Sequence, residues 1–212
     1  TKEVHKFKSP YDPLFRDYMA ETTKHLMTCG FRVVYGYTQS DEISLLFHPE
    51  ETSFQRKLRK LNSVLAGEAS AKFSLLLRDI GTFDCRISQL PGDEEIVDYF
   101  RWRNEDAHRN ALNSHAYWAL RKAGKKATEA SDFLLNMSVP DKKDLLLQQG
   151  VNFDTLPNWQ KRGVGIYWET YEKEGYNPIT CESVTAIRNR LKVDLELPMK
   201  EAYSEFIRKM LR

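Results

Sequence analysis

The stretch FRVVYGYTQSDEISLLF, from Phe31 to Phe47, decides the fold of this chain. Apolar and polar residues alternate on both sides of a polar turn, and this pattern predicts two strands joined as a β-hairpin. The turn carries Ser40, Asp41 and Glu42. Carboxylates at the tip of a stiff hairpin can coordinate a hard cation such as Mg²⁺, an arrangement that suits phosphoryl or nucleotidyl transfer. A simpler interpretation stays open, in which Asp41 hydrogen-bonds within the turn and Glu42 points into solvent.

The composition indicates a globular protein with a substantial core, because 41% of its 212 residues are hydrophobic. Its 32 Lys and Arg residues nearly balance 30 Asp and Glu residues, so a polyanionic partner would have to bind a local basic patch. Cys29, Cys85 and Cys181 are scattered and odd in number, which argues against a disulfide framework or a zinc site. We find no apolar run long enough to span a bilayer and no signal-peptide pattern, and we expect a cytoplasmic protein without a membrane partner.

The elements around the hairpin predict an α/β unit. Asp12 and Pro13 mark the start of a helix that ends at Gly30, and a second, long helix is predicted from Ser53 to about Leu77. Alternation in TFDCRISQL, residues 82–90, predicts a further strand. The predicted order is helix, strand, strand, helix, strand. This order matches a ferredoxin-like βαββαβ unit that lacks only its first strand.

Beyond Pro91 and Gly92 the pattern becomes mainly helical. The predicted elements are helices over Asp93–Ala123, Thr128–Leu135 and Asp141–Gln149, two strands between Val164 and Pro198, and a helical tail from Met199. The chain is therefore predicted to have an α+β fold, with one unit at 1–90 and a helical region with a C-terminal β-hairpin, or β-ribbon, at 91–212.

Several charged and polar side chains are candidates for binding. Arg56 and Lys60 are four residues apart on the second predicted helix, so they share a face that could bind a triphosphate, although such charge runs are also typical of a solvated helix face. His108 lies among charged residues in EDAHRN and is a candidate for a functional contact, whereas His115 is expected in the core. The sequence contains no Walker-type glycine loop.

Taken together, these motifs resemble the tRNA-His guanylyltransferase family, most of all its bacterial and phage Thg1-like members, the 3′-to-5′ RNA polymerases. The resemblance covers nearly the whole chain. It depends on the spacing of Arg56 and Lys60 and on the segments GYTQSDEISLLF (36–47), FDCR (83–86), YFRWRNEDAHRN (99–110), DKKDLL (141–146) and NFDTLPNWQKRG (152–163).

The resemblance implies a polymerase-like palm built on the βαββαβ sheet, so that residues 1–90 would be a palm-like catalytic unit. It implies a nucleotidyltransferase that activates the 5′ end of tRNA with ATP or GTP. The 3′-OH of a nucleoside triphosphate then attacks that end, so nucleotides are added in the 3′-to-5′ direction against a template. Two Mg²⁺ ions and a homotetramer are implied as well.

The same resemblance implies roles for individual residues. Asp41 would be a catalytic metal ligand, Glu42 would support it, and Ser40 would lie beside the metals. The remaining implied contacts to nucleotide or phosphate are Arg56, Lys60, Arg86, the pair His108 and Asn110 in a His-x-Asn segment, and Lys142 in an Asp-Lys segment. Such chemistry needs metals and cations on the developing charge more than a covalent nucleophile.

Two departures from the family pattern bear on function. The second metal-binding aspartate of the family belongs to an Asp-Gly-Arg motif on a first palm strand, which would precede Thr1; we expect that segment to have been omitted. The eukaryotic His-Ile-Asn-Asn pattern is HRNA at 108–111. This difference favours a tRNA 5′-end repair enzyme over one with strict tRNA-His identity.

Two other functions stay open. A palm-type nucleotide cyclase also has acidic residues at a hairpin turn, but it would not need the helical region or the basic pair Lys161 and Arg162. A tRNA-binding module without catalysis would fit the absence of the first aspartate from the printed sequence.

Overall fold

The computed structural model describes residues 5–179 and 182–211. The helices and strands in chain order are α1 (Pro13–Leu26), β1 (Val33–Gln39), β2 (Glu42–Phe47), α2 (Leu58–Leu77), α3 (Asp93–Lys122), α4 (Ala127–Leu135), α5 (Val139–Gln148), α6 (Asn158–Arg162), β3 (Val164–Asn177), β4 (Glu182–Asp194) and α7 (Glu201–Met210). Within the described residues no helix is long and apolar enough to cross a membrane.

β1 is the central strand of the fold and is buried along nearly its whole length. In the described part of the chain the strands form one antiparallel sheet in the order β2-β1-β3-β4. The register of β1 against β2 shifts between Val33 and Tyr35, as at a β-bulge. The predicted alternation therefore fails at this point: Val33 packs in one core cluster and Tyr35 in another.

Helices cover both faces of the sheet. On one face, α1 lies so close to β1 that a Cβ added at Gly36 would come within 2.5 Å of Cγ2 of Thr23. On the other face, α3 and α7 pack against Tyr35 and Tyr37, and the Tyr35 hydroxyl is 2.9 Å from the hydroxyl of Tyr203. β1 is consequently fixed from both sides, and so is the turn that follows it.

The strand predicted at 82–90 is wrong, because the structure assigns no strand to this segment. Its alternation is nevertheless present, with Phe83, Cys85 and Ile87 packed against the core and the residues between them exposed. Alternation determines which side chains face the core, but a strand also needs a neighbour for backbone pairing. The complete ferredoxin-like βαββαβ order is therefore not observed, whereas the mixed α+β class with an antiparallel sheet is confirmed.

The helical region agrees with the sequence-based expectation. α3, α4, α5 and α7 all begin and end within a few residues of their predicted bounds, and the C-terminal ribbon is formed by β3 and β4. β3 also pairs with β1, so the part beyond residue 91 contributes a strand to the sheet of the first part. The division between 1–90 and 91–212 stays a prediction.

The loop between β2 and α2 differs from the prediction of one continuous helix from Ser53. α2 begins only at Leu58, and the backbone at Phe54, Gln55 and Arg56 is left-handed, with φ of 54°, 54° and 55°. The guanidinium of Arg56 donates to the backbone oxygens of Pro49, at 2.9 Å, and of Glu51, at 3.3 Å. Arg56 and Lys60 are therefore not on one helix face.

Glu51 holds this loop in place. Its buried carboxylate accepts hydrogen bonds from the backbone nitrogens of Arg32, at 2.5 Å, and Ser53, at 2.6 Å. Burial alone would raise the pKa of Glu51, but these hydrogen bonds, with those from the Ser53 side chain and the Thr52 backbone, lower it from 4.5 to about 2.

We predict that Glu51→Gln lowers the free energy of unfolding at pH 7 by roughly 1 to 3 kcal/mol. The pKa of Glu51 is lower in the folded than in the unfolded state, so its contribution is complete above pH 4.5 and disappears as the pH falls through 2. Urea unfolding of both proteins at pH 7 and pH 3 measures this difference, which should shrink at pH 3. Glu50→Gln is the matched control, because the Glu50 side chain is 76% exposed. An equal loss at both pH values would contradict the assignment.

Candidate functional site

The turn between β1 and β2 contains only Ser40 and Asp41, because Gln39 pairs with Glu42 across the hairpin. Ser40 has a positive φ of 55°, a backbone conformation that tight hairpin turns require. Asp41 is exposed at the tip. Glu42 is the first residue of β2 rather than part of the turn, which corrects the sequence-based placement.

Glu42 forms an ion pair with Arg103 of α3. The contact gives Glu42 a partner, but 58% of its side chain is still exposed, so the alternative in which Glu42 points into solvent applies in part. The Arg103 side chain is only 13% exposed. Its burial alone would lower the pKa of Arg103, but the hydrogen bond and the negative charge of Glu42 outweigh burial and raise it. The pair fastens the start of β2 to α3, next to Asp41.

Arg103 was missed by the sequence analysis. The motif RWR, residues 101–103, is visible in the sequence, but nothing in its spacing connects it to a carboxylate 61 residues away. Only the packing of α3 on the sheet brings the two side chains together. The contact between the largely buried Arg103 side chain and Glu42 therefore arises from tertiary packing.

The residues at the tip fit a cation that arrives with a nucleotide better than a preformed two-metal cage. Among the described residues, no group of three or more His, Cys, Asp and Glu side chains could hold a metal ion. Glu42 is already paired with Arg103. Mg²⁺, however, is commonly bound by one or two carboxylates together with substrate phosphates and water. Asp41 can supply one such carboxylate.

A pocket opens beside the turn on the α1 face of the sheet. Tyr11 lies in it, and its hydroxyl accepts a hydrogen bond from Nε2 of Gln39 at 3.3 Å. Burial raises the pKa of Tyr11 to about 12, although hydrogen bonds to Gln39 and Ser114 lower it. The pocket is lined by Lys8, Pro10, Tyr11, Asp12, Phe15, Arg16, Met19, Thr38, Gln39, Ser40, Trp159 and Val164. The sequence gives no signal for this pocket, because its lining residues come from separate segments that meet only in the folded chain.

His108 lies farther along α3 and packs against an aromatic ring. Its ring centroid is 5.3 Å from that of Phe153, in an edge-on arrangement. Burial and the positive charges of Lys161, Arg162 and Lys143 lower the pKa of His108, so the neutral imidazole is favoured. The buried Nδ1 atom of His108 has no hydrogen-bond partner among the described residues.

Asn110 and Lys142 hydrogen-bond to residues of α3. Nδ2 of Asn110 donates to Asp106 at 2.9 Å, and Nζ of Lys142 donates to Asn113, also at 2.9 Å. His108 and Asn110 are two residues apart on a helix and do not face each other. α3 therefore carries or contacts all three of these predicted residues, but the structure does not bring them into one cluster.

The predicted phosphate-binding cations are spread over the first part of the chain. Arg56 follows β2, at the end of the hairpin opposite Asp41; six strand residues at about 3.3 Å each give a separation of roughly 20 Å. Lys60 lies in the first turn of α2, and Arg86 is exposed on the extended segment 82–90. Arg56 therefore lies away from the acidic turn, and the phosphate-binding roles of Arg56, Lys60 and Arg86 stay predictions.

Comparison with known proteins identifies both parts of the chain. Residues 1–91 match the family described as tRNAHis guanylyltransferase, and residues 94–204 match the Thg1 C terminal domain. The chain is 29% identical over 208 residues to the tRNA(His) guanylyltransferase of Debaryomyces hansenii, covering 92% of this chain and 78% of the relative. It is 26% identical over 182 residues to the probable tRNA(His) guanylyltransferase of Mus musculus, covering 81% of this chain and 61% of the relative.

Solved structures support the same relationship. A bacterial tRNA(His) guanylyltransferase (Thg1)-like protein in complex with ATP is 30% identical, with a TM-score of 0.73, and the match covers 99% of this chain and 85% of that one. The corresponding GTP complex is 29% identical, with a TM-score of 0.75 and coverage of 99% and 84%. The chain spans less than two thirds of the length of the mouse relative. The two family matches together cover nearly all of the present chain. The chain belongs to the tRNA-His guanylyltransferase family.

Proposed function

We propose that this protein is a nucleotidyltransferase that adds nucleotides in the 3′-to-5′ direction to the 5′ end of tRNA, against a template base. The observation that carries the proposal is the acidic turn at Asp41, which is fastened to α3 by the Glu42–Arg103 ion pair and has a pocket beside it. Relatives named tRNA(His) guanylyltransferase and bacterial structures with bound ATP and GTP support it.

The proposed reaction has two displacements at phosphorus. First, a 5′-phosphate oxygen of the tRNA attacks the α-phosphorus of ATP or GTP, and pyrophosphate leaves. Second, the 3′-OH of a nucleoside triphosphate attacks the activated 5′-phosphorus, and the nucleoside monophosphate from the first step leaves. Both steps require stabilisation of negative charge that develops on phosphate oxygens.

Each residue at the turn has a proposed part in these steps. Asp41 would hold Mg²⁺, which would neutralise negative charge on the reacting phosphates. Arg103 holds Glu42, which keeps the turn at a fixed distance from α3. Ser40 and the adjoining pocket receive the nucleotide. Two Mg²⁺ ions, as the resemblance implies, would require a further ligand beyond Asp41.

The other predicted residues would bind RNA or phosphate away from the reacting atoms. Lys60 and Arg86 are proposed phosphate contacts, and Arg56, about 20 Å from Asp41, would serve a different phosphate. A cavity of about 380 Å³ opens beside Phe153 and is lined by Lys143 and Asp154, among others. His108, Asn110 and Lys142 lie around α3 near this region, where we propose that the RNA is held.

One observation favours a second candidate, a tRNA-binding module without catalysis. The described residues contain no group of three potential metal ligands, so the site would be incomplete if no further carboxylate were supplied. Tight tRNA binding with no incorporation would support the module. A cyclic nucleotide formed without RNA would instead support a cyclase, which no contact in the described structure favours.

We predict that the full-length protein, given Mg²⁺, ATP and labelled nucleoside triphosphates, extends a 5′-truncated tRNA with the nucleotide complementary to the opposing base. Changing that base should change the nucleotide added. Gel analysis of the labelled RNA measures the product, and a tRNA with an intact 5′ end serves as the control substrate. Incorporation that ignores the opposing base, or none at all, would contradict the proposed function.

We predict that Asp41→Asn lowers kcat for incorporation by roughly 10²- to 10³-fold, because it removes a charged cation ligand without changing the shape of the side chain. The melting temperature should change little, since Asp41 is exposed. Asp132→Asn, an exposed aspartate on α4, is the matched control. Activity of Asp41→Asn equal to that of the control would remove Asp41 from the mechanism.

We predict that Glu42→Gln and Arg103→Gln each lower kcat/KM for incorporation about tenfold, because either change releases the turn from α3. The double variant should be little worse than either single variant, since one contact is lost in all three. A double-mutant cycle in kcat/KM, with melting temperatures measured in parallel, tests this coupling. Fully additive effects would show that the two side chains act independently.

The resemblance also implies a homotetramer, and the cysteine usage and the lack of a signal-peptide pattern in the printed sequence predict a cytoplasmic location; we propose both. The bacterial structures with ATP and GTP support the nucleotide partners of this proposal but not its assembly state. The molar mass of the full-length protein by light scattering checks the tetramer directly. A mass equal to one subunit at micromolar concentration would contradict it.

A further inference from the structure

Trp102 is an exposed tryptophan on α3 for which the catalytic proposal gives no role. It is 53% exposed, although the residues around it on α3 contribute to a buried cluster. A single exposed aromatic ring is common on protein surfaces, so the position of Trp102 beside the Glu42–Arg103 pair carries more weight than its exposure alone. Tyr99, with its ring centroid 6.5 Å away, borders the indole on the same helix.

One side chain, that of Arg103, contacts both the ring of Trp102 and Glu42 at the acidic turn. The guanidinium carbon of Arg103 lies 5.5 Å from the centroid of the indole ring, and Arg103 is itself paired with Glu42. Arg103 is held by a half-buried ion pair, so it supports the ring from a fixed position. More than half of Trp102 is still open to solvent beside the turn.

Two aromatic sites thus flank the turn on opposite faces of β1. The pocket containing Tyr11 and Trp159 lies on the face covered by α1. Trp102 lies on α3, which covers the other face, but its ring points to solvent rather than into the core formed by Phe100 and Tyr35. Nucleotide addition to an RNA end brings two bases to one reacting phosphate, the base of the incoming nucleotide and the base at the 5′ end. The incoming nucleotide is assigned above to the pocket side of the turn, which leaves the open ring of Trp102 for the base at the 5′ end.

We propose that Trp102 stacks on the base of the 5′-terminal nucleotide of the RNA and so positions that end at the acidic turn. The inference rests on the proposed function. Stacking on an exposed aromatic ring accepts any base, because every base has a π-face, and the guanidinium of Arg103 beside the indole adds a cation–π contact. Trp102 is a positioning residue in this account, since it touches the RNA but not the reacting atoms.

The test compares Trp102→Ala, Trp102→Phe and the control Trp168→Ala, which removes a similarly exposed tryptophan on the C-terminal ribbon. Two 5′-truncated RNAs are used, one complete and one with an abasic 5′-terminal nucleotide. The wild type should bind the abasic RNA roughly tenfold more weakly at constant salt concentration. Trp102→Ala should lose this discrimination, Trp102→Phe should keep part of it, and Trp168→Ala should behave as the wild type.

Steady-state kinetics provide a second measurement, because a purely structural role of Trp102 would not change KM for the RNA selectively. Trp102→Ala should raise KM for the complete RNA roughly tenfold and leave KM for the nucleoside triphosphate unchanged. Unchanged discrimination between the two RNAs, or a rise in KM for the nucleoside triphosphate instead, would overturn the inference. If the wild type binds RNA but adds no nucleotide, the proposed function fails, while the binding comparison still decides the role of Trp102. A wild type that binds no RNA would overturn both.

Discussion

The burial of β1 on both faces is the constraint on which the rest of the structure depends. Helix α1 approaches this strand at Gly36, α3 and α7 pack on the opposite face through Tyr35, and β2 and β3 pair with its two edges. A strand held from four directions cannot move without disturbing every layer of the fold. The exposed residues at its end therefore project from a rigid support, which is the condition that a site for reactive phosphates requires.

The second constraint is the ion pair that joins Glu42 to Arg103. It links the hairpin, which the family model for residues 1–91 covers, to α3, which the C-terminal model covers. Asp41, the pocket around Tyr11 and the open ring of Trp102 all lie around this link. On our account the chain forms its reaction site at the junction of the two matched regions, with the RNA held along α3.

Local patterns in the sequence predicted those parts of the fold that local physics determines. The hairpin, the long helix α3 and the ribbon were predicted because periodicity and turn residues specify them. The segment around Cys85 kept its alternation but has no strand partner, and pairing cannot be deduced from a single segment. Arg56 lies outside the predicted helix because the loop before α2 is held by hydrogen bonds from Ser53 to Glu51 and from Arg56 to the carbonyl oxygen of Pro49. Arg103 and Trp102 gained their positions only through tertiary packing.

The most direct test of the central claim is a crystal structure of the full-length protein with a nucleoside triphosphate and Mg²⁺. Our account places the triphosphate in the pocket beside the turn, with a carboxylate oxygen of Asp41 about 2.1 Å from a cation that also binds phosphate oxygens. A triphosphate bound elsewhere, with no cation next to Asp41, would contradict the account.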